Sequence, residues 1–215
     1  MSDGKEAVIP LVSSGGKSVG VIVAEKAEGF TPADYNNFRQ GCQIVNTVEL
    51  ALKKEFEHQG RITDELTHLK NRQGLNEYLS NTMCGNLNEG QTVNIIMCDI
   101  DHFKNINDTY GHEMGDRLIA RIAGTIRLVA ANDNDNVRTY RYGGDEFIMI
   151  IPDGTEDDAL SFIDRWNKLM EPIQKDSKIP ISASVGYACG RYADINKIIC
   201  EADEKMYENK RVHRE

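Results

Sequence analysis

Two β-rich runs, residues 137–142 and 147–151, stand on either side of Gly143-Gly144-Asp145-Glu146. This string limits the fold more tightly than any other. Valine, isoleucine, threonine, tyrosine and phenylalanine make up most of the runs, and such side chains suit a pleated surface. Glycines between two such runs signal a hairpin, because they let the backbone turn with φ > 0. They also leave room for a ligand to come close to the backbone. The two adjacent carboxylates at the tip repel one another. Taken alone, the string reads equally as a solvated turn, since Gly-Gly-Asp is ordinary turn chemistry.

Other periodicities complete the pattern. Val93-Asn94-Ile95-Ile96-Met97-Cys98 reads as a buried strand that ends in Asp99. Helical spacing marks residues 114–129, 157–170 and 194–209, and residues 181–187 read as a further strand. Residues 61–75 form a polar junction that runs into a helix ending near Asn81. Strand, helix, hairpin, helix, strand, helix gives an α/β (α+β) sandwich. Its centre is a mixed, largely antiparallel sheet flanked by helices.

A smaller appendage precedes this unit. Residues 7–12 and 19–24 flank Ser13-Ser14-Gly15-Gly16 and signal another hairpin. Two strands do not stand alone in water, so residues 1–30 read as the tail of a larger domain. Thr31, Pro32 and Asp34 then form a helix start with a capping-box acid. Tyr35, Phe38, Cys42, Val45, Leu52 and Phe56 recur at threes and fours, with Glu49 interrupting. This face of a helix over about 31–60 either dimerises as a coiled coil or packs on the preceding strands.

Composition excludes several classes. A chain of 215 residues, 40% hydrophobic and 27% charged, suits one globular domain plus the appendage. A net charge of −9 weighs against duplex nucleic acid as a partner. An anionic substrate would need local positive charge, most simply a metal ion. The five cysteines are scattered without a CxxC, which reads as reduced thiols in a cytoplasmic protein, not a zinc site. No apolar stretch approaches the roughly 20 residues that span a bilayer. No basic start with an apolar run follows Met1, so no signal peptide and no membrane contact are expected.

Asp99-Ile100-Asp101-His102-Phe103-Lys104 begins where the buried strand ends. Ligand-binding groups gather at the carboxyl ends of sheet strands. A carboxylate there costs stability unless it is paired or bound to a cation. Asp99 and Asp101 could approach Asp145 and Glu146 across neighbouring strands. Clustered carboxylates describe a hard-cation site, for which Mg2+ fits best and Mn2+ is possible.

These two segments, with three more motifs, resemble the GGDEF domain of diguanylate cyclases over about residues 61–215. Asp64-Glu65-Leu66-Thr67-His68-Leu69-Lys70-Asn71-Arg72 resembles the family's D-x-L-T-x-L-x-N-R. Asp99 to Lys104 resembles its D-x-D-x-F-K loop. Asn107-Asp108-Thr109-Tyr110-Gly111-His112 with Gly115-Asp116 continues the match. Ala202-Asp203, Met206-Tyr207 and Lys210 resemble its closing helix.

The resemblance implies a palm-like nucleotide-cyclase fold. It also implies a nucleotidyltransferase that joins two GTP into cyclic di-GMP on magnesium, as a homodimer. Asp99 with Glu146 or Asp145, and the Ile100 carbonyl, would hold the metal. Asp99, Asp145 and Glu146 would be catalytic. Backbone N–H groups from Asp101 to Lys104, Phe103 included, would cradle phosphates beside Gly143 and Gly144. Lys104, Lys210 and Arg214 would pair with the terminal phosphates, and Asn107 and Asp116 would read guanine. Blander roles exist for some of these. Asn107 and Asp116 suit helix caps, Lys210 and Arg214 complement a helix C-terminus, and Phe103 suits core packing.

The family's product-inhibition motif, R-x-x-D, has no counterpart in residues 132–137, which implies that this binding is absent. His213 stands where the family usually has glycine. Residues 1–60 resemble the end of a GAF sensor domain and its exit helix, which implies an upstream sensor in a longer receptor. The alternative function is a catalytically inactive GTP- or cyclic-di-GMP-binding signalling module.

Overall fold

The computed structural model describes residues 6–12, 18–25, 28, 31–84, 91–131, 136–176, 179 and 181–212. The chain divides into two units, residues 1–60 and 61–215. In the first, β1 (Glu6–Val12) pairs antiparallel with β2 (Ser18–Glu25), with Glu6 opposite Glu25. The turn residues 13–17 lie outside the described residues. The helix α1 (Pro32–Ile62) begins with a reciprocal cap. Thr31 N–H and Oγ1–H donate to Asp34 Oδ2 at 2.7 Å each, and Asp34 N–H donates back to Thr31 Oγ1 at 3.2 Å. Leu52 and Phe56 of the expected apolar face are exposed, Phe56 by 81%.

The second unit is built on one sheet. Its strands are β3 (Thr92–Ile100), β4 (Arg138–Gly143), β5 (Glu146–Pro152) and β6 (Ala183–Arg191), in the order β4-β5-β3-β6. Every ladder among the described residues of this sheet is antiparallel, and an isolated parallel bridge outside these ladders joins Lys70 to Tyr140. β3 is apolar along most of its length because both its faces are covered. Ile96, Cys98 and Ile100 face one core with Phe147, Met149, Phe162 and Trp166. Val93, Ile95 and Met97 face the other with Ile148, Ile150, Ala202 and Met206. This period-two alternation fixes the register, since a slip of one residue would exchange the faces.

The helices of this unit are α2 (Arg72–Cys84), α3 (Phe103–Tyr110), α4 (His112–Ala131), α5 (Glu156–Asp176) and α6 (Ile195–Val212). Two features depart from the sequence reading. Residues 103–110 form a helix of their own, separated from α4 by Gly111 at φ +84°. α5 runs through Pro172 to Asp176, and the buried Ile173 anchors its extra turn in the first core. No helix among the described residues is long and apolar enough to cross a membrane.

Candidate active site

The register of the central strands builds the site. Asp99 on β3 is the Cα partner of Glu146 on β5 and of Ser184 on β6. The next residue, Ile100, donates its N–H to the Asp145 carbonyl at 3.3 Å. The end of β3 therefore lies beside the hairpin tip, as the sequence suggested. Asp99 is 6% exposed, and its carboxylate forms an ion pair with Lys210 from the last turns of α6.

Burial raises the Asp99 carboxyl above its usual range, and the nearby Asp145 and Asp101 add to this. The Lys210 hydrogen bond and charge oppose it. Burial also raises Glu146, helped by Asp99, Asp145 and Asp203 and opposed by Lys210. These carboxylates thus repel one another around a single ammonium. Among the described residues no three His, Cys, Asp or Glu side chains already form a metal cage. One oxygen of Asp101 is already engaged: its Oδ1 accepts from Ser184 Oγ at 2.6 Å. What remains is a hard-oxygen set of Asp99, Glu146 and Asp145 with excess negative charge, and the Ile100 carbonyl, the further ligand the resemblance implies, follows Asp99 on β3. That fits Mg2+, which usually takes one or two carboxylates and draws its other ligands from water and phosphate.

The two glycines act differently from expectation. Neither takes positive φ; His68, His102, Asp153 and Gly111 do, among the described residues. At Gly143 a Cβ would lie 3.1 Å from Glu146 Oε2, so its absence lets the carboxylate fold back over the strand. At Gly144 a Cβ would meet nothing within 4 Å, so the tip is open.

The tip is held by a residue the sequence reading passed over. The Arg141 guanidinium donates to the Gly144 carbonyl through Nε at 3.0 Å and Nη2 at 2.7 Å. Its Nη1 donates to both Asp64 oxygens, at 3.1 and 3.0 Å. Asp64 also accepts from the Thr67 N–H and hydroxyl. Burial would raise the Asp64 carboxyl, but the Thr67 bonds and the Arg141 charge outweigh it and hold the group below 3.8. Arg141→Ala leaves a half-buried carboxylate and a turn carbonyl without their donor. We expect a loss of roughly 1.5–3 kcal/mol, or about 3–12 °C in melting temperature, read by thermal unfolding. The low Asp64 pKa stabilises the fold above pH 3.8, and that contribution is lost as pH falls through the native value.

The loop after β3 leads into α3. The Asp101 N–H is taken by the Ser182 carbonyl at 2.9 Å, so it leaves the expected phosphate cradle. His102, at φ 55°, precedes α3 without a side-chain cap, and the helix's first-turn N–H groups have no partner within the helix. Phe103 packs against the first core, while Lys104 is exposed. Asn107 lies inside α3 and Asp116 inside α4, so neither is a cap. Asp116 is exposed, and Asn107 Oδ1 is buried with no hydrogen-bond partner. Arg214, His213 and residues 132–135 lie outside the described residues. Ser184 and Asp203 also border the site, neither with a role read from the sequence; Asp203 stands there only within the closing-helix motif, and a serine inside a strand run is the only signal for Ser184.

A family model described as "Diguanylate cyclase, GGDEF domain" matches residues 61–215. Diguanylate cyclase DosC of Escherichia coli is 32% identical over 184 residues, covering 79% of this chain and 38% of that protein. Diguanylate cyclase VdcA of Vibrio cholerae is 34% identical over 200 residues, covering 85% of this chain and 56% of that protein. The chain thus spans well under two thirds of these relatives. Among solved structures, the coiled coil and GGDEF domain of DgcB from Caulobacter crescentus, in complex with c-di-GMP, matches with a TM-score of 0.69. Its identity is 27%, over 81% of this chain and 94% of that one. Diguanylate cyclase SiaD of Pseudomonas aeruginosa, solved with its activator SiaC, matches with a TM-score of 0.64. Here the identity is 28%, over 84% of this chain and 67% of that one.

Proposed function

The chain belongs to the diguanylate cyclase GGDEF-domain family, and we propose that residues 61–215 condense two GTP into cyclic di-GMP and two pyrophosphates. The observation that carries this reading is the pairing of Asp99 with Glu146 on adjacent strands beside Lys210 and an open glycine tip. Asp99, Asp145, Glu146 and the Ile100 carbonyl would hold Mg2+. Bound there, the ion would neutralise phosphate charge and align the reacting oxygens.

The chain's own residues do the rest. The N–H groups of His102, Phe103 and Lys104 approach the β- and γ-phosphates, as successive amides can. Lys104, Lys210 and Arg214 supply positive charge, and Gly143 and Gly144 leave space beside the triphosphate. Asn107 and Asp116 bind guanine, whose ring N–H and amine suit a carboxylate. The 3′-hydroxyl of one GTP attacks the α-phosphorus of the other. The new O3′–P bond forms as the bond to pyrophosphate breaks, and Glu146 takes the hydroxyl proton. One such domain holds one GTP, so two must face each other as a C2 homodimer. In this reading α1 sets the approach of two copies, and residues 1–30 belong to the sensory part.

Incubation with GTP and Mg2+, followed by mass spectrometry, tests the reaction. We expect cyclic dinucleotide and a specific activity that rises with protein concentration. Binding of GTP without product at high concentration would leave the inactive signalling module instead.

A further inference from the structure

Gly115 stands in the first turns of α4, where glycine is disfavoured against almost any other residue. Its φ is not positive, so the backbone does not require it. Space does. A Cβ at this position would fall on Asn107 Oδ1, and would lie 3.0 Å from Asn107 Cγ and 3.1 Å from Phe103 Cζ. The amide oxygen of Asn107 therefore fills the volume that a side chain at 115 would need. That oxygen is buried without a hydrogen-bond partner, and of the two amide heteroatoms it alone is so placed. A glycine Cα–H is a weak donor that suits an oxygen and not an NH2 group.

A carboxamide has an acceptor end and a donor end. With Oδ1 seated against Gly115, the end left for a ligand is the Nδ2 donor. We propose that Gly115 is a positioning residue that sets purine choice through Asn107. Its missing side chain receives the amide oxygen, so the NH2 is presented to an acceptor on the base. Guanine offers O6 there, whereas adenine offers its N6 amine, a second donor that the NH2 cannot pair with. Asp116 reads the N1–H and N2 amine beside it. The inference rests on the GTP reading given above.

Nucleotides lacking the 3′-hydroxyl cannot make the proposed attack, so they report binding alone. The 3′-deoxy forms of GTP, ITP and ATP, titrated calorimetrically with Mg2+ into the full chain, separate the two base contacts. ITP keeps O6 and loses only the N2 amine. Gly115→Ala is expected to weaken GTP and ITP by the same factor, roughly tenfold to a hundredfold. It should leave ATP nearly unchanged, so the preference for guanine over adenine collapses. In an Asn107→Ala background, where the socket is empty, adding Gly115→Ala should change nothing further. That double variant also has room for the new methyl group if the single one folds poorly. A loss for GTP that spares ITP, or an undiminished effect of Gly115→Ala without Asn107, overturns the proposal. So does a folded Gly115→Ala protein with unchanged preference. A wild-type protein that shows no guanine preference overturns the GTP reading together with the proposal.

Discussion

Glu146→Gln is expected to cut cyclic dinucleotide formation by roughly a thousandfold while raising the melting temperature of the cation-free protein. The two effects have one cause. Glu146 sits among Asp99, Asp145 and Asp203 with Lys210 as the opposing charge. In the proposed reaction the ionised group serves a cation and the attacking hydroxyl; with neither bound, it repels its neighbours. Both Asp99 and Glu146 have native pKa values raised above the ordinary 3.8 and 4.5. Such groups hold more protons folded than unfolded, so cation-free stability falls as pH rises from those values through the native ones. Glutamine does not ionise, so the fall should be shallower in the variant. Mg2+ should stabilise the wild type more than the variant, reversing their order. Thermal unfolding from pH 4 to 8, with and without Mg2+, reads the stability, and mass spectrometry reads the turnover. A variant with unimpaired turnover would remove Glu146 from the chemistry.

The sheet was legible because its signals are local and repeated. The apolar run before Asp99 and the paired runs around Gly143-Gly144 left few alternatives, and their register brings Asp99 opposite Glu146. α3 escaped notice because its eight residues bury a single side chain, Ile106, too few for a periodic stripe. The Asp64–Arg141 pair joins residues 77 apart, and an ion pair across that distance leaves no periodicity to read. The glycine pair misled in one respect. Its composition suggested left-handed backbone, yet neither residue takes it; at 143 the missing Cβ leaves room for Glu146, and at 144 a Cβ would meet nothing within 4 Å. Asp101 read as one of the clustered carboxylates by its proximity in sequence. Only the strand pairing shows Ser184 within reach of it. Motifs locate the carboxylates, then, but the neighbours that aim or divert them come from other strands.

Among the described glycines outside the carboxylate site, Gly186→Ala should be the most damaging substitution, because the clash it makes is with backbone. A Cβ there would land on the Met206 N–H nitrogen and the Ala202 carbonyl oxygen, and 2.8 Å from the Lys205 carbonyl carbon. All three are backbone atoms of α6, so no rotamer change relieves the clash, and the helix must lift from β6. Overpacking of this kind costs about 1–3 kcal/mol or more, and here the upper end applies, or roughly 6–12 °C in melting temperature. Lys210 lies eight residues beyond Ala202, about 12 Å along the helix, so tilting α6 there swings its ammonium from Asp99. Gly190→Ala is the matched control on the same strand. Its Cβ would meet Ile198 Cδ1 at 2.7 Å and Cγ1 at 3.0 Å, a flexible side-chain end that can turn aside. It should cost less than about 1.5 kcal/mol and leave nucleotide affinity intact. Gly186→Ala should weaken GTP binding at least tenfold at temperatures where it remains folded. Equal stability losses in the two variants, with GTP affinity unchanged in both, would show that the height of α6 over the sheet does not govern Lys210.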